Sequence, residues 1–280
     1  MTHRIVCLLA LPLLAPAQTP TPPSFEVSSV KRNTSQDRPG AQYLPGGRLS
    51  VHNMPLFLVI ADAYNVPFQG SPQLIGGPDW LRAERYDIEA TAESGAIPPG
   101  TSAAAARDEM RLMLRSLLAS RFQLKIHSET RDLPVYSLTI AKGGPKLQKA
   151  KTQEKDCPEA PATFEAACHT FRGGQGQGVH GEAVSMSDLA RGLANFSDRP
   201  VLDRTNLPGL FKIDTEGWVP LSPRPPRPPG QEPTAEDLAF ADPARPTLFA
   251  VLEGLGLKLE SQRAPVQVWV IDGAEHPSEN

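Results

Sequence analysis

Leu117 to Ile140 reads LLASRFQLKIHSETRDLPVYSLTI, and Val251 to Ile271 reads VLEGLGLKLESQRAPVQVWVI. Each stretch closes an amphipathic helix and then alternates apolar and polar residues, as a half-buried strand does. Each passes through a short polar segment and resumes at Pro-Val with a second alternating run. Phe122-Gln-Leu-Lys-Ile126 lines up with Leu255-Gly-Leu-Lys-Leu259, and Pro134-Val135 with Pro265-Val266. The polar segments predict a turn in each copy. The expected unit is therefore a helix followed by a β-hairpin, used twice.

Working outward, the elements before each copy also correspond. In the first half, Phe25–Val30 and Arg48–Val51 alternate as strands, with a polar loop from Asn33 to Gly47 between them. Asn53 and Pro55 suit the start of a buried helix that runs to about Tyr64. Arg85–Ala90 is a further strand, and residues 93–101 are a Pro/Gly loop. Met110, Met113, Leu114, Leu117 and Leu118 then form one helical stripe, with Arg111 and Arg115 outside it. In the second half, Glu182–Ser185, Pro200–Asp203 and Leu210–Asp214 read as strands. Met186, Leu189, Ala190 and Leu193 stripe a helix that Ser185 and Asp188 open with a capping-box-like pair. A Pro/Arg-rich insert, 219–232, stands where the first half has its loop. The expected fold class is α+β: a tandem repeat of two small modules, each a small mixed sheet with two helices on one face. The expected organisation is a first module at 25–141, a connector at 142–179 and a second module at 180–280.

The chain has 280 residues, a formal charge of −3 and 30 prolines. This balance gives no basic face for nucleic acid, and the prolines gather in connecting segments. Residues 1–17 read as a signal peptide: His3 and Arg4, an apolar run from Ile5 to Leu14, then Ala15-Pro-Ala17. The run is shorter than the roughly 20 residues of a membrane span, so no span is expected after cleavage. Cys7 would leave with the signal, and residues 18–24 form a spacer. The expected location is periplasmic or extracellular. There, Cys157 and Cys168 are expected to pair as a disulfide. The alternative for these cysteines is a metal site with the neighbouring His169, but their separation is wider than zinc spacing.

Gly77-Pro-Asp-Trp-Leu81, Arg85-Tyr-Asp-Ile88, Pro134-Val-Tyr136, Gly144-Pro-Lys-Leu147, Met186-Ser-Asp-Leu189, Arg199-Pro-Val-Leu-Asp203, Leu255-Gly-Leu-Lys-Leu-Glu260 and Pro277-Ser-Glu-Asn280 resemble the signature blocks of an exported family, a domain of unknown function expanded in soil bacteria. Relatives carrying the domain beside a BlaR-type membrane sensor peptidase imply extracytoplasmic sensing. Met186–Asp272 is also similar to the short N-terminal domain of secretins and TonB-dependent transducers, which implies a non-catalytic protein-interaction module. The long Pro-rich insert departs from that compact form.

The remaining histidines, His52, His127, His169, His180 and His276, make no metal-binding spacing. There is no G-x-S-x-G elbow and no Walker loop. Asp79 and Trp80, behind the turn Gly76-Gly-Pro78, and Arg85 on the strand that follows are the candidate ligand-binding residues. Trp80 either fills core or offers a flat ring. No catalytic residue, metal or cofactor is assigned. The expected function is an exported, non-catalytic binding protein of the envelope with a protein partner, in extracytoplasmic sensing or signalling. The alternative is a secreted hydrolase with an acid/base site in the first module.

Overall fold

The computed structural model describes residues 22–68, 72–158, 166–219, 221 and 244–277. The expected signal peptide, Cys7, most of the spacer and nearly all of the 219–232 insert lie outside these residues. The architecture is mixed α/β, with three four-stranded sheets and five helices among the described residues.

The first sheet is antiparallel. It orders β1 (Phe25–Asn33), β5 (Arg85–Ala92), β3 (Arg48–Pro55) and β2 (Gly40–Leu44). Strand β2 falls in what the sequence suggests is loop. Its burial pattern is exposed along most of its length, so the apolar alternation that marks a strand is missing. Helices α1 (Leu56–Ala63) and α3 (Ala103–Arg121) pack with it. The five apolar residues expected as the α3 stripe are its buried residues. Asn53 does not cap α1. It sits at a register shift in β3 with φ of 50°, and Pro55 holds the cap position. The first core gathers Leu49, Leu56, Ile60, Ile88, Leu118 and Phe122.

The second core contains Met186, Leu189 and Leu193 from α4 (Met186–Ala194), Leu248 and Leu252 from α5 (Leu248–Gly254), and Trp218. Ser185 and Asp188 form the reciprocal capping box that the sequence suggests. The sheet here orders β7 (Gln148–Lys149), β11 (Phe211–Asp214), β9 (Gly178–Val184) and β8 (Arg172–Gly174). Two of these strands come from the segment 142–179.

The sheet between the cores overturns the expected hairpins. Neither polar segment turns. Strand β6 (Lys125–Ile140) and strand β12 (Leu257–Gly273) each run straight and pair with one another antiparallel, from Leu257 opposite Ile140 to Gly273 opposite Lys125. At roughly 3.3 Å per residue, each spans about 50 Å. Strand β6 starts with Ile126 against the first core and ends with Leu138 inside the second. Strand β12 starts with Leu257 and Leu259 in the second core and ends with Trp269 and Ile271 at the first. Two short parallel strands complete the sheet. Strand β10 (Val201–Asp203) lies beside the end of β6, and β4 (Leu74–Gly76) beside the end of β12.

Two physical facts explain the straight passage. Neither polar segment contains the Gly or Asn that a tight hairpin turn demands. Their polarity belongs instead to the exposed face of the middle of the ribbon, where Arg263 Nε meets Asp132 Oδ2 at 2.7 Å across the strands, while Val135, Ala264 and Val266 are buried on the other face. The Gly76-Gly77 turn docks β4 onto this ribbon. Both glycines have positive φ, and a Cβ on Gly76 would stand 2.6 Å from the Ile271 carbonyl oxygen.

Cys157 and Cys168 form the expected disulfide. A bridge over so short a loop stabilises by about 2–3 kcal/mol. Replacing both cysteines with serine is expected to lower the unfolding free energy by about that amount, read from urea denaturation with and without reductant. Reductant should lower the wild type alone. Among the described residues, no helix is long and apolar enough to cross a membrane.

Candidate functional site

The three residues suggested by the sequence do not converge. Trp80 opens the short helix α2 (Trp80–Ala83), is partly buried against the first core, and stacks on His276 with ring centroids 4.1 Å apart. His276 Nε2 lies 3.2 Å from Glu84, which also accepts from the Tyr86 hydroxyl at 2.9 Å. Burial opposes the charged Glu84 carboxylate, but the Tyr86 and His276 bonds outweigh it and hold its pKa below the ordinary value. Asp79 is exposed. Arg85 turns to another purpose and donates to the Asn53 carbonyl at 2.9 Å, bracing the β3 irregularity. The ring of Trp80 is therefore covered by the chain's own tail.

A different set of residues surrounds a cavity between the two cores. Three elements build it. The end of α1 supplies Asp62 and leads into the strap Asn65–Phe68. Helix α3 supplies Arg107 and Arg111, one turn apart. Helix α4, with the segment before β8, supplies Arg191, His169 and Phe171. The cavity holds about 330 Å³, and a neighbouring chamber of about 390 Å³, also lined by Asn65 and Arg191, carries Ser187, Asp203 and Arg204. The strap is tied across the cleft, because the Phe68 amide donates to Asn195 Oδ1 at 2.9 Å.

On the α3 side, the Tyr43 hydroxyl donates to Asp62 Oδ2 at 2.6 Å. Arg111 pairs with Asp62 at 3.3 Å and with exposed Asp108 at 3.0 Å, while its Nε is buried without a partner. Burial, and next the Asp62 charge, push the Tyr43 pKa far up, so its phenol stays protonated. Arg107 makes no ion pair among the described residues. Its guanidinium and that of Arg111 each lie 5.9 Å from the Tyr43 ring centre. Burial, and next repulsion from Arg111, hold the Arg107 pKa below its ordinary value.

On the α4 side, Asp188 is the hub. Its carboxylate accepts from the Ser185 amide at 3.1 Å, the Ser185 hydroxyl at 2.5 Å and Arg191 Nη2 at 2.5 Å, and it meets His169 Nδ1 at 2.7 Å. His169 Nε2 meets Glu154 at 2.8 Å. Burial works against the charged ring, but the two carboxylates outweigh it and raise the His169 pKa. His169, Asp188 and Ser185 are not a nucleophilic triad. The serine donates to the carboxylate itself, and the imidazole nitrogen that would serve as base already faces Glu154. Glu154, Cys157 and His169 also lie within metal-ligating distance of one another. With Cys157 bonded to Cys168, its sulfur is no thiolate ligand. Gly192 leaves room for the Phe171 ring on α4, since a Cβ there would fall 1.7 Å from it.

Residues 58–274 match the model of a family described as a protein of unknown function (DUF3738). The chain belongs to this family. The match spans every residue that lines the cavity, from Asp62 to Asn195, though not Tyr43 behind it, so this DUF3738 protein carries the cavity inside its family domain. No curated protein and no solved structure matches the chain.

Sequence reasoning missed Asp62, Arg107, Arg111, His169, Asp188 and Arg191 as a site. One signal was available. Arg107, Arg111 and Arg115 recur at four-residue spacing on one helix, and like charges at i,i+4 are unfavourable unless something answers them. Arg115 is answered by the Ala63 carbonyl at 2.8 Å, at the negative end of α1, and by the Tyr64 ring. Arg111 is answered by Asp62. Arg107 is left.

Proposed function

We propose that this chain is an exported, non-catalytic binding protein of the cell envelope, acting in extracytoplasmic sensing or signalling, whose ligand seat is the cleft between its two cores. One observation carries the reading. Side chains from both halves converge on a cavity, and their arginines outnumber the carboxylates that line it. Cavities between packed units with a few convergent polar groups are the usual form of a binding site. The disulfide is compatible with export. The two halves are read as a tandem duplication whose last strands have been exchanged, each long strand ending in the other half's core. Within this reading the second half, like the interaction domains it resembles, takes part in holding an envelope or secreted protein partner.

The test is capture from native envelope fractions by the immobilised full chain, compared with two rim variants. Phe68 is 43% exposed at the mouth of the cleft, and Val27 is 64% exposed on edge strand β1. Neither substitution touches the cores. Phe68→Glu is expected to abolish a capture that Val27→Glu leaves intact. The reverse pattern would move the interaction to the sheet edge, by strand addition, and overturn the cleft as the seat.

A further inference from the structure

We propose that the cleft takes a small organic oxyanion, an anionic head joined to an apolar body, with the head on Arg107 between Arg111 and Arg191. This inference rests on the cleft being the ligand seat. It deepens that reading by naming the chemistry.

The argument starts from cost. A guanidinium taken partly out of water without a counter-charge loses solvation that nothing in the fold returns. Arg107 is close to that position: it lines the cavity, makes no ion pair among the described residues, feels Asp62 without contacting it, and stands beside two further arginines. The carboxylates nearby are already committed. Asp62 holds Arg111 and the Tyr43 hydroxyl. Asp188 holds Ser185, His169 and Arg191, and Glu154 and Asp108 are exposed partners of His169 and Arg111. The residues lining the cavity therefore carry three arginines and a histidine biased towards its charged form, against two carboxylates.

An oxyanion supplies the missing charge, and guanidinium groups bind planar or tetrahedral oxyanions through paired N–H donors. The bound head also gives the unpartnered Arg111 edge a reason to be held in place. Phe68 and Phe171 set the shape of the rest. Both line the same cavity, and Phe68 keeps a large apolar ring in solvent at its mouth. A free inorganic ion would leave that surface uncovered, whereas an apolar body beyond the head covers it.

The experiment is calorimetric titration of the full disulfide-bonded chain at constant ionic strength. The probes are 3-phenylpropionate, phenyl phosphate, inorganic phosphate and uncharged 3-phenylpropanol, with chloride as the background anion. The first two are expected to bind, and whichever is tighter identifies the head as carboxylate or phosphate. Inorganic phosphate is expected to bind at least tenfold more weakly, and phenylpropanol not at all. Arg107→Gln is expected to weaken the better probe at least tenfold, and Arg107→Lys to restore part of it. In the absence of probe, Arg107→Gln should unfold at the same Tm as wild type or higher, because it removes an unanswered charge. That readout separates loss of a site from loss of the fold.

Equal binding by Arg107→Gln and wild type would overturn the assignment of the head. Equal binding of phenyl phosphate and inorganic phosphate would overturn the apolar body. Absence of binding by every anion, with envelope capture still lost in Phe68→Glu, would overturn the anion inference and leave the cleft reading standing.

Discussion

A fragment of residues 22–141 is expected to remain unfolded alone, and to fold when a peptide of residues 257–277 is added. The fragment contains every helix of the first half, yet it lacks the strand that completes it. Without β12, β6 loses its partner along its whole length and β4 loses the strand it pairs with among the described residues. Ile271 is almost fully buried in the first core, and Trp269 packs against it there. Burial of a side chain such as Ile271 contributes about 1.5–3 kcal/mol, and the pairing of β6 and β4 is lost with it. A small domain has a net stability of only about 5–15 kcal/mol. The readout is amide dispersion in a two-dimensional NMR spectrum, which should collapse for the fragment and recover with the peptide. A well-dispersed spectrum from the fragment alone would mean that the first half is self-sufficient. For the same reason, deleting Met186–Asp272 cannot remove the second half cleanly, since it also takes Trp269 and Ile271 from the first core.

Asp188→Ala is expected to be the most damaging single substitution at the cleft. It removes the capping box of α4 and leaves His169 and Arg191 without the carboxylate that holds them together. Removing one partner of a buried pair costs about 3–5 kcal/mol, and with the Asp188 side chain 9% exposed the lower end of that range is expected. The pH profile distinguishes this from simple loss of packing. The His169 pKa is raised, so its contribution is fully present below the unfolded value of about 6.5 and is lost as pH rises through the folded value. The Asp188 pKa is lowered: burial opposes this, but the Ser185 and His169 bonds prevail. Its contribution is present above about 3.9 and is lost as pH falls through the folded value. The pair therefore stabilises most between about pH 4 and 6.5. Urea unfolding across pH should show both slopes in the wild type and shallower ones in Asp188→Ala, where Glu154 still faces His169 and Glu84 still contributes at low pH. An unchanged profile in the variant would remove this pair from the account.

What could be read from the sequence was whatever repeats locally. The α3 stripe, the α4 capping box, the Cys157–Cys168 bridge and most strands follow from spacing or from the export that the N-terminal residues lead one to expect. Such signals depend on neighbours in the chain. The partner of each long strand was not legible, because alternation in β6 and β12 marks a half-buried strand without saying which strand lies beside it. Polar residues in the middle of a ribbon look like the polar residues of a turn. The missing glycine and asparagine were the one clue against a hairpin. The cleft was illegible for a related reason. Asp62, Arg107 and Asp188 lie far apart in sequence, and the pairing of β6 with β12 that joins the two cores has no local signal. Trp80 drew attention by its type, yet the tail residue His276 covers it.

The central claim is that ligand and partner meet the chain between its cores. Amide hydrogen exchange of the full chain, free and loaded with whatever it captures from native envelope, tests this most directly. Protection is predicted in three segments: the end of α1 with the strap, Asp62 to Phe68; the first turns of α3 around Arg107 and Arg111; and the stretch from His169 through Asn195. Protection confined to edge strands β1 and β2, with those three segments unchanged, would contradict it.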